Sequence, residues 1–343
     1  MRQKSPRKWL SKFIIAALII MILSGYYFYS RYDYFVHTPV NNTNTEKMTI
    51  TIKKGDSLNI LSGQLISKNL IWDENSFKIY SKLNNIDRKI LPGRYNLSQS
   101  LTIPEIANII TDPTQRQIVI TIPEGSTIVE IDQKLTDLDL IKSGEFSNSV
   151  KKFTDFDKYL FLSHLQNRQL IFPLEGYLFP DTYFLNPEQF ASENLISMML
   201  NNFKNRLAKT AYLNAEHNLE QIIIVASMIE KEANKDVDRP LIADIIWKRL
   251  DANWQLGIDA TLLYLKENRE INYADLKKDT PYNTRLNIGL PPGPIANPGL
   301  ASIEAAITPE KNSYFYYLTG KDGKMYYSVT LGEHNSKKAR YLE

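Results

Sequence analysis

A chain of 343 residues, 43% hydrophobic and 23% charged, is long enough for two or three folded regions and has ample material for their cores. Its 41 basic and 38 acidic residues leave a net charge of only +3, and five of the basic ones (Arg2, Lys4, Arg7, Lys8, Lys12) crowd the N-terminus. The remainder therefore lacks the basic field that draws nucleic acid, and no nucleic-acid partner is expected. The absence of cysteine excludes disulfides, thiolate metal sites, a cysteine nucleophile and a lipid-modified cysteine anchor.

The first element in chain order is the uncharged run Phe13–Tyr29, FIIAALIIMILSGYYFY. A helix of about 17–20 residues just crosses the roughly 30 Å hydrocarbon layer of a bilayer. The basic residues ahead of it predict a cytoplasmic N-terminus, and the Tyr26–Tyr29 aromatics suit the far interface. A cleaved signal peptide is the alternative, but bulky aromatics stand where a small-x-small cleavage site belongs. The reading is a tail over 1–12, a transmembrane helix over 13–29 and a polar linker over 30–47. The chain is then single-pass in the cytoplasmic membrane, with its mass outside.

An internal repeat follows. Ile50–Ile71, ITIKKGDSLNILSGQLISKNLI, aligns without gaps on Ile120–Ile141, ITIPEGSTIVEIDQKLTDLDLI, at an offset of 70. Each copy reads as an alternating strand, a Gly turn at Gly55 or Gly125, and an amphipathic helix capped by Ser57 or Thr127. Two copies indicate duplication rather than a solenoid. The first copy resembles the LysM type of small carbohydrate-binding module, although Gly-Ser turns before helices are common in any α+β domain. The division is a LysM-like module over 48–115 and a mixed α+β region over 116–343, with the second copy at 118–190.

Beyond Asn194 the chain turns helical. The patterns predict helices at Leu195–Lys209, Glu220–Asn234, Pro240–Asp251 (with Asp238 as cap) and Ala301–Ile307. An ordered Pro/Gly loop is expected at Leu290–Gly299, and strands at Tyr314–Leu318 and Lys324–Val329 around a turn at Lys321–Gly323. The sharpest chemical signal is LEQIIIVASMIEKEANK. Glu230 directly follows an apolar helix, where a carboxylate is costly to desolvate without a task or a partner. It shares a face with the small residues Ala226, Ser227 and Ala233, which leave room for something large. Glu232 lies about 200° further round and should point elsewhere. Burial and the helix C-terminus would both raise the Glu230 pKa, as a general acid needs. Otherwise the two glutamates are solvated charges balanced by Lys231 and Lys235.

Five strings in order add to this: PLEGYLFPDTY (Pro173–Tyr183), VASMIEKEA (Val225–Ala233), IDATLLY (Ile258–Tyr264), PYNTRLNIGLPPGPIANPG (Pro281–Gly299) and EHN (Glu333–Asn335). Together they are similar to the YceG-like, or MltG, family of endolytic murein transglycosylases across essentially the whole chain. The resemblance implies that Glu230, the first glutamate of Glu-Lys-Glu, is catalytic. It implies a lyase that cuts peptidoglycan strands and leaves 1,6-anhydro-muramyl ends, with no cofactor. The implied partners are glycan strands, the cytoplasmic membrane and peptidoglycan synthases. One carboxylate suffices where the muramyl 6-hydroxyl, rather than water, attacks C1; a hydrolase normally uses two. The family often carries Gln at Gly257 and His at Met325, so this sequence departs from it at both places. Asn283, Thr284 and Asp259 are candidates to line a cleft, or are turn and cap residues. Tyr177, Asp181 and Tyr183 could contact sugars, or simply pack. His217 and His334 stand isolated, and no metal is expected. A non-catalytic, membrane-tethered peptidoglycan-binding or division scaffold is the rival reading.

Overall fold

The computed structural model describes residues 6–166, 168–264, 266 and 270–342; residues 1–5 of the expected tail lie outside it. It mixes helices and strands in two compact units, Met1–Val119 with Phe184–Gln189, and Ile120–Tyr183 with Phe190–Glu343.

The first unit opens with α1 (Pro6–His37). Among the described residues this is the one helix long and apolar enough to cross a membrane, over Phe13–His37. The expected linker at 30–47 is therefore corrected at its start: the helix runs unbroken through Ser30–His37. Its last turns are held because Val36 is fully buried in the unit's core, with Tyr32 packed against the same cluster. The following stretch is tied down as well. The Asn41 N–H donates to the Gln99 carbonyl at 3.0 Å, and Asn44 Nδ2 donates to Gln99 Oε1 at 3.0 Å.

Next come β1 (Met48–Ile52), α2 (Leu58–Ser67), α3 (Glu74–Leu83), β2 (Gly93–Leu97) and α4 (Ile103–Thr111). β1 and β2 pair antiparallel, with Ile50 opposite Tyr95. Their alternation sends Ile50, Ile52, Tyr95 and Leu97 into a core shared with Leu61, Leu65, Phe77 and Ile106.

The second copy repeats this beginning through β3 (Ile118–Thr121), α5 (Ile128–Asp137), α6 (Glu145–Lys151) and β4 (Thr182–Leu185), with β3 beside β4. α2 and α5 start and stop 70 residues apart. The turn glycines Gly55 and Gly125 both take positive φ, at 92° and 75°, and Asn69 and Asp139 both lie in the left-handed region at 52° and 54°. The caps Ser57 and Thr127 have nearly the same backbone angles, and each accepts a backbone N–H three residues on. Glu130 completes a capping box in the second copy, where the first has Ile60. The shared register therefore extends to backbone conformation.

The second unit continues with α7 (Ser192–Leu207), α8 (Leu219–Glu232), α9 (Arg239–Asp251), α10 (Asp259–Leu263), α11 (Tyr273–Lys277) and α12 (Leu300–Ile307). The hairpin of β5 (Tyr316–Thr319) and β6 (Met325–Ser328) follows, then α13 (Leu331–Tyr341). α8 is the central helix, with Ile222–Ile229 buried on all sides. α9 and α12 both pack on it. Asp238 makes no side-chain cap to α9; its carboxylate accepts the Tyr327 hydroxyl at 2.6 Å instead.

Candidate active site

The C-terminal turn of α8 carries Glu230, Lys231 and Glu232, and their side chains meet three different environments. Glu230 is enclosed, its side chain 7% exposed. Oε1 pairs with Arg239 Nη2 at 3.2 Å, while Oε2 accepts the Gly299 N–H at 3.0 Å and the Ser302 hydroxyl at 2.8 Å. Arg239, 9% exposed, is held in turn by Ser302 and Asp236. The small residues on this face admit the protein's own chain. Ser227 accepts the Ile295 N–H at 3.0 Å, and the 295–302 segment leading into α12 covers the face. Glu230 thus meets fixed donors instead of an open cleft, contrary to the sequence expectation that Ala226, Ser227 and Ala233 floor one.

A second carboxylate closes this cluster, and the sequence reading missed it. Glu124, in the turn of the second copy, lies where a methyl group at Gly299 would overlap its carboxylate, while Gly125 abuts the Glu230 stem. Burial and the nearby Glu230 charge raise the Glu124 pKa, with Arg239 opposing. The available signal was the repeat itself: at the offset of 70, Glu124 stands where the first copy has Lys54.

Glu232 faces the other way, into a cleft of about 410 Å³ that is also lined by Asp259, Arg285, Tyr317, His334 and Gly257. Its carboxylate accepts the Tyr317 hydroxyl and the Ala260 N–H, and burial raises its pKa against those bonds. A carboxyl group held above its usual range at the wall of a cleft has the character of a proton donor. Asp259 stands at the cleft's rim with a half-exposed side chain, gripped by Arg285 Nε at 2.8 Å and Nη2 at 2.5 Å. Both departures from the family pattern fall here: Gly257 lines the cleft, and Met325 Sδ accepts from the cleft residue Thr319 at 3.0 Å.

The other candidates are corrected by burial or, for the partly exposed Asp181, by its partners. Asn283 is fully buried and holds its loop, donating to the carbonyls of Leu276 at 3.2 Å and Lys278 at 2.9 Å. Thr284, 1% exposed, accepts the Ile258 N–H at 3.0 Å. Both position the Asp259–Arg285 rim and neither reaches the cleft surface. Tyr177 and Tyr183 are core residues, bonded to His164 at 3.1 Å and to the Phe179 carbonyl at 2.5 Å. Asp181 pairs with Arg206 at 2.8 Å and Asn202 at 2.9 Å. Among the described residues no His/Cys/Asp/Glu group could hold a metal.

Glu175, fully buried, ties three segments together. It accepts the Ile128 N–H at 3.2 Å, Asn297 Nδ2 at 3.0 Å and the Tyr264 hydroxyl at 3.2 Å, and burial pushes its pKa up to about 8. A carboxyl raised in the folded state supports folding below its unfolded pKa, and that support drains away as pH rises toward 8. Thermal unfolding at about pH 5 and about pH 8 should therefore show a smaller loss in Glu175→Gln than in the parent chain. Equal losses would mean that Glu175 does not set this dependence.

Residues 50–340 match the YceG-like family profile, and the chain belongs to that family. It is 30% identical to the endolytic murein transglycosylase of Bacillus subtilis, over 94% of this chain and 91% of that one. It is 28% identical to the protein of the same name from Streptococcus pneumoniae D39, over 96% of this chain but 65% of the longer relative. The crystal structure of a YceG-like protein from Listeria monocytogenes matches with a TM-score of 0.59 at 32% identity, covering 85% of this chain and 98% of that one.

Proposed function

We propose that this chain is an endolytic peptidoglycan lytic transglycosylase with Glu232 as its acid and base. The observation that carries the assignment is the Glu232 carboxyl in the cleft walled by Asp259, Arg285 and Tyr317, with its pKa raised by burial. Glu232 donates its proton to the glycosidic oxygen leaving C1 of the muramyl sugar. As carboxylate it then takes the proton of that sugar's 6-hydroxyl while the hydroxyl oxygen bonds to C1. No water is consumed, and the intramolecular attack supplies the proximity a second carboxylate would otherwise provide. Glu230, clamped by Arg239 and Ser302, instead fixes the end of α8 from behind. The names of the relatives support the endolytic mode. Strands of uniform length labelled at one end should yield a spread of internal fragments; stepwise release of disaccharides from an end would contradict it.

α1 supports a membrane anchor, and the N-terminal basic residues support a cytoplasmic start. The β-α-α-β order of residues 48–97, with antiparallel strands, supports a LysM-like module that binds glycan. An anchored enzyme of this kind acts on nascent strands beside the synthases and limits their length. Protease added to intact spheroplasts should digest the bulk of the chain; a protected C-terminal epitope would contradict this topology.

A further inference from the structure

We infer that Tyr34, Phe35 and Trp72 form an aromatic platform that seats the first unit in the headgroup layer of the bilayer that α1 crosses; this rests on the anchor reading above. Because α1 is continuous from the apolar run into the core around Val36, helix geometry fixes how far that core stands from the span. From Phe13, the roughly 17–20 residues that cross the hydrocarbon layer, at about 1.5 Å each, end between Tyr29 and Tyr32. The headgroup layer beyond is about 5–7 Å deep, the rise of the next four or five residues. Tyr34 and Phe35 fall within it.

Trp72 comes to the same depth from the loop between α2 and α3. Its ring lies 6.3 Å from Tyr34 and stacks on Phe35 at 6.5 Å and 22°, and its indole N–H donates to the Thr38 carbonyl at 3.1 Å. The Arg31 guanidinium lies over Phe35 at 5.0 Å, where it can reach lipid phosphate. Tyr34 and Trp72 nonetheless remain 52% and 42% exposed, while the adjacent Ile71 is the residue that enters the core. Apolar rings with one polar edge are at home in a headgroup layer, where both parts are satisfied. The continuity of this patch with the span selects the lipid of the same membrane as its occupant.

The test uses the full chain in phosphatidylcholine–phosphatidylglycerol vesicles. Tryptophan emission of the parent chain minus that of Trp72→Phe isolates Trp72 among the four tryptophans. Lipid brominated high on the acyl chain should quench most of this difference signal, and aqueous acrylamide little of it. Free quenching by acrylamide with none by bromolipid overturns the platform. Shielding from both that grows with protein density also overturns it, in favour of a second copy. The chain lacks cysteine, so a spin label on Ile22→Cys reports the span alone. An oxygen-rich label there with a water-exposed Trp72 refutes the platform and leaves the anchor standing, whereas a water-exposed label removes both.

Discussion

Glu232→Gln should lose strand cleavage by about 10²–10⁴-fold, because a general acid–base group is worth that much and here one group serves both proton transfers. The amide keeps the side chain's size and can still accept from Tyr317 and Ala260, so the melting temperature should hold. The parent enzyme must carry the Glu232 proton at the start of each turnover. Its rate should therefore fall as pH rises through the raised pKa of this group, and the residual rate of the variant should lose that limb. Glu230→Gln should show the reverse pattern, with lowered stability and most of the rate per folded molecule retained. Cleavage rates and melting curves measured on both variants separate the two residues. A dead Glu230→Gln beside an active Glu232→Gln would restore the sequence assignment.

Arg239→Met should cost about 3–5 kcal/mol of stability, since removing one partner of a buried ion pair strands the other charge. Here Glu230 would keep only the Gly299 N–H and the Ser302 hydroxyl, with Glu124 pressing beside it. Glu124, already raised by burial and the Glu230 charge, would lose the opposing Arg239 and take up a proton more readily, so the deficit should shrink as pH falls. Denaturant titrations of the parent and variant chains at about pH 5 and about pH 8 read this directly. A deficit under about 1 kcal/mol, the scale of an exposed pair, would show that Arg239 does not neutralise the cluster.

The helices capped by Ser57 and Thr127, α7, α8, α9 and α12, the hairpin and the duplication were legible in the sequence because each is written in local periodicity and caps, whereas α13 and the short helices α10 and α11 were not. The offset of 70 carried through to the left-handed Asn69 and Asp139. The cleft was less legible. Helical geometry correctly put Glu230 and Glu232 on different faces of α8, but periodicity does not say what covers a face. Ala226 and Ser227 make room for the segment leading into α12, brought there from some seventy residues downstream by long-range packing. Asn283 and Thr284 look like polar residues with substrate to bind, yet their partners are backbone groups that only the folded loop supplies. The helical turns at Ser30–His37 were hidden because Arg31, Asp33 and His37 interrupt Tyr32, Tyr34, Phe35 and Val36, so the stretch shows little apolar period.

The central claim is cleavage by the sugar's own hydroxyl from one carboxyl group. Its most direct measurement is the mass of new strand ends made by the purified enzyme in water enriched in oxygen-18. Attack by the sugar's own hydroxyl leaves 1,6-anhydro-muramyl ends, lighter than hydrolytic ends by one water, with no heavy oxygen incorporated. Reducing ends carrying oxygen-18 would contradict it.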